Sequence, residues 1–231
     1  GKVIFQNQQD LNKISHMSNL NSKKIALIRG SGVDLKFFKP LKKESDTINI
    51  LFASRLLTSK GLLEFIESAK EMKSKNLTFL VAGMLDTDNP DCISAGQIND
   101  WERNGIIKYC GYIENMRDLI YESKVVVLPS YYGEGLPKIL IEAAACGKPI
   151  ITTDHQGCRD AIIPNKTGIL IPIKDSKALT SGLKKLLNSP NLCRKMGVAA
   201  RNYAVKNFDI KCVNEKHLRI YADLIKNNKI Y

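Results

Sequence analysis

From Ile48 onward the chain alternates short apolar runs with stretches whose apolar residues recur at helical spacing. The run Ile48-Asn49-Ile50-Leu51-Phe52-Ala53 precedes a helical pattern from about Gly61 to Ser74, and Leu77-Thr78-Phe79-Leu80-Val81-Ala82 follows. The rhythm continues through a strand Ile106-Ile107-Lys108-Tyr109, a short helix over Met116 to Glu122 and the run Val125-Val126-Val127-Leu128. A helix from Pro137 to Cys146, the strand Pro149-Ile150-Ile151-Thr152 and the run Gly168-Ile169-Leu170-Ile171 complete it. Strands this uniformly apolar predict a parallel α/β sheet covered on both faces by helical crossovers. The ends differ: Val3 to Leu20 predicts one strand and one helix before the loop Arg29 to Asp34. The last quarter predicts helices over Lys177 to Leu187, Pro190 to Phe208 and Ile210 to Lys226. There is no internal repeat.

Composition adds bounds. A chain of 231 residues, 44% of them hydrophobic, can bury one large domain or two small ones. Lys and Arg exceed Asp and Glu by 35 to 23, a net charge of +12, which makes phosphates, nucleic acid and acidic lipid surfaces all plausible partners. Much of that charge lies in runs such as Lys23-Lys24, Lys42-Lys43 and 70–75, which read first as solvated surface. The six cysteines are scattered, without a C-x-x-C pair or a His at ligand spacing, so neither a zinc site nor a disulfide framework is indicated and a reducing cytosol is expected. No apolar run reaches the roughly 18 residues of a bilayer span, so any membrane contact is expected to be peripheral. The chain opens without Met on a strand-like Val3-Ile4-Phe5, and we expect it to be a piece of a longer protein.

In an open parallel sheet ligands bind at the carboxyl ends of the strands. The loop after Ala53 carries Arg55 and Lys60-Gly61, a cationic pair beside a predicted helix start that suits phosphate or simply faces solvent. The loop after Leu128 runs Pro129-Ser130-Tyr131-Tyr132-Gly133-Glu134-Gly135-Leu136-Pro137 into the next helix, with Pro137 expected at its first position. Glu142, one and a half turns inside that helix, is flanked by Ile139-Leu140-Ile141 and Ala143-Ala144-Ala145. A carboxylate there needs hydroxyl or cationic partners if buried, and is unremarkable if it faces water. Asp86-Thr87-Asp88 has the look of a D-x-D metal motif, but Asp, Asn and Pro over 86–91 are turn formers, and we read a turn. The three histidines are far apart and receive no role.

Glu134 and Glu142 bracket seven residues, and this spacing, with Gly30-Ser31-Gly32-Val33-Asp34, Arg55…Lys60-Gly61, Gly111-Tyr112-Ile113, Pro129-Ser130 and Gly157-Cys158-Arg159-Asp160, resembles glycosyltransferase family 4 over nearly the whole chain. That family is a group of retaining enzymes of the GT-B fold, and the resemblance is to members that build capsule, O-antigen and other lipid-linked glycans. It implies a Rossmann-like domain, the C-terminal half of a GT-B fold. It also implies a nucleotide-sugar donor, most simply a UDP-sugar, and no metal or other cofactor. On the family's pattern Arg55 and Lys60 hold the diphosphate and Glu134 meets the transferred sugar and its anomeric charge. The same pattern has Glu142 accept from the ribose hydroxyls and lays Ile113 against the base. Gly32, Gly135, Leu136, Pro137 and Lys138 match positions around the donor, though Lys138 reads equally as a solvated first-turn lysine.

The resemblance divides the chain into residues 1–29, the last strand and helix of an acceptor-binding domain; 30–208, the donor domain; and 209–231, a helix expected to cross back to that first domain. Arg29 stands where relatives often have Pro. With most of the acceptor domain missing, the chain is expected to bind a nucleotide weakly and transfer little. Its partners would be the nucleotide sugar, a polyprenyl-diphosphate-linked glycan and the anionic inner membrane face, in the cytoplasm or peripheral to that membrane. A non-catalytic nucleotide-binding module or a basic nucleic-acid binder are the alternatives, and aromatic content of 7% without a basic-aromatic cluster argues against nucleic acid.

Overall fold

A computed structural model describes residues 1–17, 21–41 and 47–227. The chain enters through β1 (Val3–Phe5), α1 (Gln8–Met17) and β2 (Ile25–Leu27), and the two strands pair in parallel. The predicted strand and helix over Val3 to Leu20 are therefore present as far as Met17. Residues 18–20, and the lysines 42 and 43, lie outside the described residues. β2 departs from the pattern reading: three residues between Lys24 and Ile28 carry too short a pattern to read, and pairing with β1 makes the strand.

Six further strands form one parallel sheet: β3 (Ile48–Ala53), β4 (Leu77–Ala82), β5 (Lys108–Gly111), β6 (Ser123–Leu128), β7 (Ile150–Thr153) and β8 (Gly168–Ile171). Their order is β5-β4-β3-β6-β7-β8. Successive side chains point to opposite faces of a sheet, yet Ile50, Leu51 and Phe52 are all fully buried, as are Val125, Val126 and Val127, so both faces are covered. The cover comes from α2 (Leu62–Glu71), α3 (Ala95–Arg103), α4 (Met116–Glu122), α5 (Lys138–Ala145), α6 (Ser176–Leu187) and α7 (Pro190–Asn207). Phe65 of α2 sits between Phe52 and Phe79, with ring centroids 5.4 and 5.2 Å away.

Three local expectations shift. α3 is additional to the predicted elements, although its signal is present: the Ser94 hydroxyl accepts from the Gln97 amide while the Gln97 side chain accepts from the Ser94 amide, a capping box. β5 begins at Lys108 rather than Ile106, because Ile106 still donates its N–H to the Trp101 carbonyl as the chain leaves α3. Pro137 is the N-cap, with φ −60° and ψ 125°, and α5 starts at Lys138.

The last helix, α8 (Ile210–Asn227), lies against the small sheet: Val213 and Ile220 bury Ile28, with Ile4, Ala26 and Leu224 beside them. Val33 ties the start of the segment before β3 to the end of α7, its N–H donating to the Phe208 carbonyl and its carbonyl accepting from the Ile210 N–H. The outward faces of these end elements leave Met17, Leu218, Tyr221 and Ile225 exposed. All six cysteines are free thiols, and no helix among the described residues is long and apolar enough to cross a membrane.

The strand order reverses between β3 and β6, so the loops after these neighbours splay apart and open a crevice at their carboxyl ends. Gly61 holds the two loops together. Its φ of +81° is the left-handed region, and a Cβ there would drive into the Pro129 carbonyl. Gly61→Ala is expected to cost at least about 2 kcal/mol and to lower the thermal midpoint by about 5 °C, read by calorimetric melting.

Candidate functional site

A cleft of about 400 Å³ opens at the reversal, its wall mostly apolar, with Arg55, Asp86, Ile113, Met116, Ile139 and Glu142 among its lining. Each comes from a strand end or the helix beyond it. Arg55 leaves β3 and Asp86 leaves β4. Ile113 follows β5, and Glu142 rises from α5.

Glu142 is 7% exposed, surrounded by the apolar residues that make α5 a buried helix. Burial pushes its carboxyl up from 4.5 to about 7, opposed by Lys138, whose ammonium is 3.8 Å away and largely in solvent. The solvent-facing alternative for Glu142 is thus excluded, and that for Lys138 holds: its side chain is 68% exposed. A desolvated carboxyl at a cleft wall, with one weak partner among the described residues, has capacity for hydrogen bonds from a ligand.

The second cluster adjoins the first through Arg55. Lys60 ends a short 3-10 turn and is buried, its ammonium 2.6 Å from the Glu134 carboxylate, which also accepts from the Ser130 hydroxyl at 3.2 Å. The Tyr132 ring touches both cations, with Lys60 Nζ 4.5 Å and Arg55 Cζ 5.3 Å from its centroid. Arg55 is held a second way by Asp86 at 2.8 Å. Its pKa is raised, first by hydrogen bonding to the Tyr132 phenol and then by Asp86, so the guanidinium stays charged. The segment Asp86 to Asn89 closes the expected turn, the Asn89 N–H donating to the Asp86 carbonyl.

The structure therefore brings together Arg55, Lys60, Glu134, Glu142 and Ile113. Three predicted residues have packing reasons for their identity. Leu136 is buried against Gly30, Gly135 lies under the Gln6 side chain, and Gly32, at φ +77°, abuts the Ile210 backbone and does not line the cleft. Four residues at the site carry no role in the sequence reading: Asp86 as a partner of Arg55, Ser130, Tyr132 and Gln6. Tyr132 is legible in principle, being an aromatic beside a glycine in the loop that carries Glu134. The Arg55–Asp86 pairing spans 31 positions and has no local signal.

Comparison with known proteins accords with this arrangement. The family described as Glycosyl transferases group 1 matches residues 33–203. Among curated proteins, the chain is 32% identical over 98% of its length to the N,N'-diacetylbacillosaminyl-diphospho-undecaprenol alpha-1,3-N-acetylgalactosaminyltransferase of Campylobacter jejuni, covering 61% of that protein. It is 26% identical over 99% of its length to the capsular polysaccharide biosynthesis glycosyltransferase CapM of Staphylococcus aureus, covering 60% of it. The chain thus spans about three fifths of these relatives. Among solved structures, sucrose-phosphate synthase from Thermosynechococcus elongatus superposes with a TM-score of 0.86 at 24% identity over 97% of this chain and 58% of that one. Anabaena HepE in complex with UDP-glucose does so at 0.84 and 18% identity, over 96% of this chain and 64% of that one. The reversed parallel sheet and the family match agree: the chain belongs to the group 1 glycosyl transferases, with a Rossmann-like sheet that matches GT-B glycosyltransferase structures.

Proposed function

We propose that the chain is the donor-binding part of a retaining, family 4 glycosyltransferase that moves a hexose or N-acetylhexosamine from a nucleotide sugar to a glycan on a polyprenyl diphosphate, in surface polysaccharide synthesis at the inner membrane face. In this reading residues 1–29 and 209–231 belong with an acceptor domain and 30–208 form the donor domain. The observation that carries it is the convergence of Arg55, Lys60, Glu134 and Glu142 from two adjacent strand ends at the sheet's reversal. The order of groups fits a sugar nucleotide laid along the crevice. The base rests by Ile113 and the ribose hydroxyls donate to Glu142. The diphosphate is shared by Arg55 and Lys60, and the sugar reaches Glu134.

Chemically, the departing nucleoside diphosphate gains negative charge while the anomeric carbon gains positive charge. Arg55 and Lys60 stabilise the first in place of a divalent cation, and the Glu134 carboxylate lies where the second develops. The names of the Campylobacter and Staphylococcus relatives support a lipid-linked or capsular acceptor. HepE, which has the same fold, binds UDP-glucose, and this puts UDP first among the bases to try.

Titration calorimetry with UDP, GDP and ADP tests the reading. One base is expected to bind, with Glu142→Ala abolishing most of its heat, and the chain alone is expected to show little transfer. If none of the three binds, the donor-site reading falls.

A further inference from the structure

The glycine after Glu134 raises a question that its backbone does not answer. Gly135 does not take the left-handed conformation, so it is not glycine for the sake of φ. It is glycine for room: a Cβ would run into the Gln6 side chain, whose Oε1, Cδ and Cβ all lie over that face, while on another side Gly157 approaches so closely that its own Cβ would strike the Gly135 carbonyl.

Gln6 comes from the far end of the chain, just after β1, and the segment that carries it is fastened. Asn7 is fully buried; its amide donates to the Asp10 carboxylate at 2.6 Å and its side-chain oxygen accepts from the Asp10 N–H at 2.7 Å. Asp10 in turn accepts from Gln156, in the loop that contains Gly157, at 3.0 Å. Residues 6–10 are thus anchored to the Gln156–Gly157 loop, which itself packs against the Glu134 and Gly135 carbonyls. Within this frame Gln6 is an exposed residue whose carboxamide lies against the Gly135 face, with no hydrogen-bond partner among the described residues. It lies over the residue next to Glu134.

We propose that Gln6 is a specificity-determining residue whose carboxamide hydrogen-bonds the transferred sugar of the donor. The inference rests on the donor-site reading above, in which the sugar lies by Glu134. A carboxamide both donates and accepts, so it can meet a sugar hydroxyl or an acetamido group. It adds no charge beside a diphosphate, whereas a carboxylate at this position would repel it. The anchoring of Asn7 and Asp10 holds its backbone in place, so part of the ordering cost is met before the sugar arrives.

Calorimetry of UDP, UDP-glucose, UDP-galactose, UDP-N-acetylglucosamine and UDP-N-acetylgalactosamine tests this on the unaltered chain, Gln6→Ala and Gln6→Met. The Met variant keeps the side chain's bulk over Gly135 and removes its hydrogen bonds. At least one UDP-sugar is expected to bind the unaltered chain more tightly than UDP, and both variants are expected to weaken that sugar nucleotide by about 3- to 10-fold while UDP binds as before. Unchanged UDP binding also shows that the variants fold. If Gln6→Met binds every UDP-sugar as the parent does, or if the parent binds no UDP-sugar better than UDP, the assignment of Gln6 is overturned. If neither UDP nor any UDP-sugar binds the parent, the UDP donor reading itself fails, and the role of Gln6 with it.

Discussion

Affinity for a UDP-sugar is expected to fall about tenfold between pH 8 and pH 6, and Glu142→Gln is expected to erase that dependence while making the protein more stable. Both effects have one cause. Burial lifts the Glu142 carboxyl to about 7, so in the free protein it is mostly protonated at pH 6 and mostly ionised at pH 8. Ribose hydroxyls donate best to the ionised form, and binding must first remove a proton at the lower pH. The diphosphate of a UDP-sugar has no titration in this range, so the dependence belongs to the protein. The stability effect has the opposite sense. The folded state holds its proton more tightly than the unfolded state, so Glu142 favours folding fully below about pH 4.5. That contribution drains away as pH rises to about 7. The ionised, buried carboxylate then costs about 3 kcal/mol relative to its neutral form. Glu142→Gln keeps the shape without the charge. Its thermal midpoint is expected to match the parent near pH 4 and to exceed it by roughly 5–10 °C at pH 8, with nucleotide affinity reduced about 10-fold or more. A variant equally destabilised at both pH values would show that Glu142 is a packing residue.

The misfit of Glu142 with its own helix also bears on what the sequence could and could not disclose. Glu142 is conspicuous because a carboxylate amid Ile139, Leu140, Ala143 and Ala144 contradicts the pattern of its own helix, and such contradictions collect at functional sites. The sheet is legible for the opposite reason: Ile50 to Ala53 and Val125 to Leu128 obey one rule without exception, burial on both faces. Short elements are not. β2 exists because β1 is beside it, and α3 announces itself only through Ser94 and Gln97. Contacts across the chain are the least accessible. Nothing near Arg55 points to Asp86, and nothing near Gly135 points to Gln6, because each pairing is made by the sheet order and the return of the first segment to the loop after β6. Candidate residues can be picked out from the sequence and its family resemblance, whereas the pairings among them require the fold.

The largest functional loss is expected at Lys60. In the full-length enzyme Lys60→Met should lower the transfer rate by about 10²- to 10³-fold, the usual effect of removing one group that stabilises charge formed in the transition state. The same ammonium pairs with Glu134 at 2.6 Å, and the two side chains are only 7% and 21% exposed. Cutting either partner strands the other, which costs up to about 3–5 kcal/mol where burial is complete and less at Glu134, where water reaches the carboxylate and Ser130 still donates to it. The double variant Lys60→Met, Glu134→Gln removes both charges and keeps both shapes. Its stability is therefore expected to return to the parent's or to exceed it, while transfer stays lost. Thermal melts and rate measurements on the two single variants and the double separate the roles. If the double variant recovers rate along with stability, the pair serves only to hold the loops together. If stability recovers and rate does not, the pair takes part in transfer beyond holding the loops together.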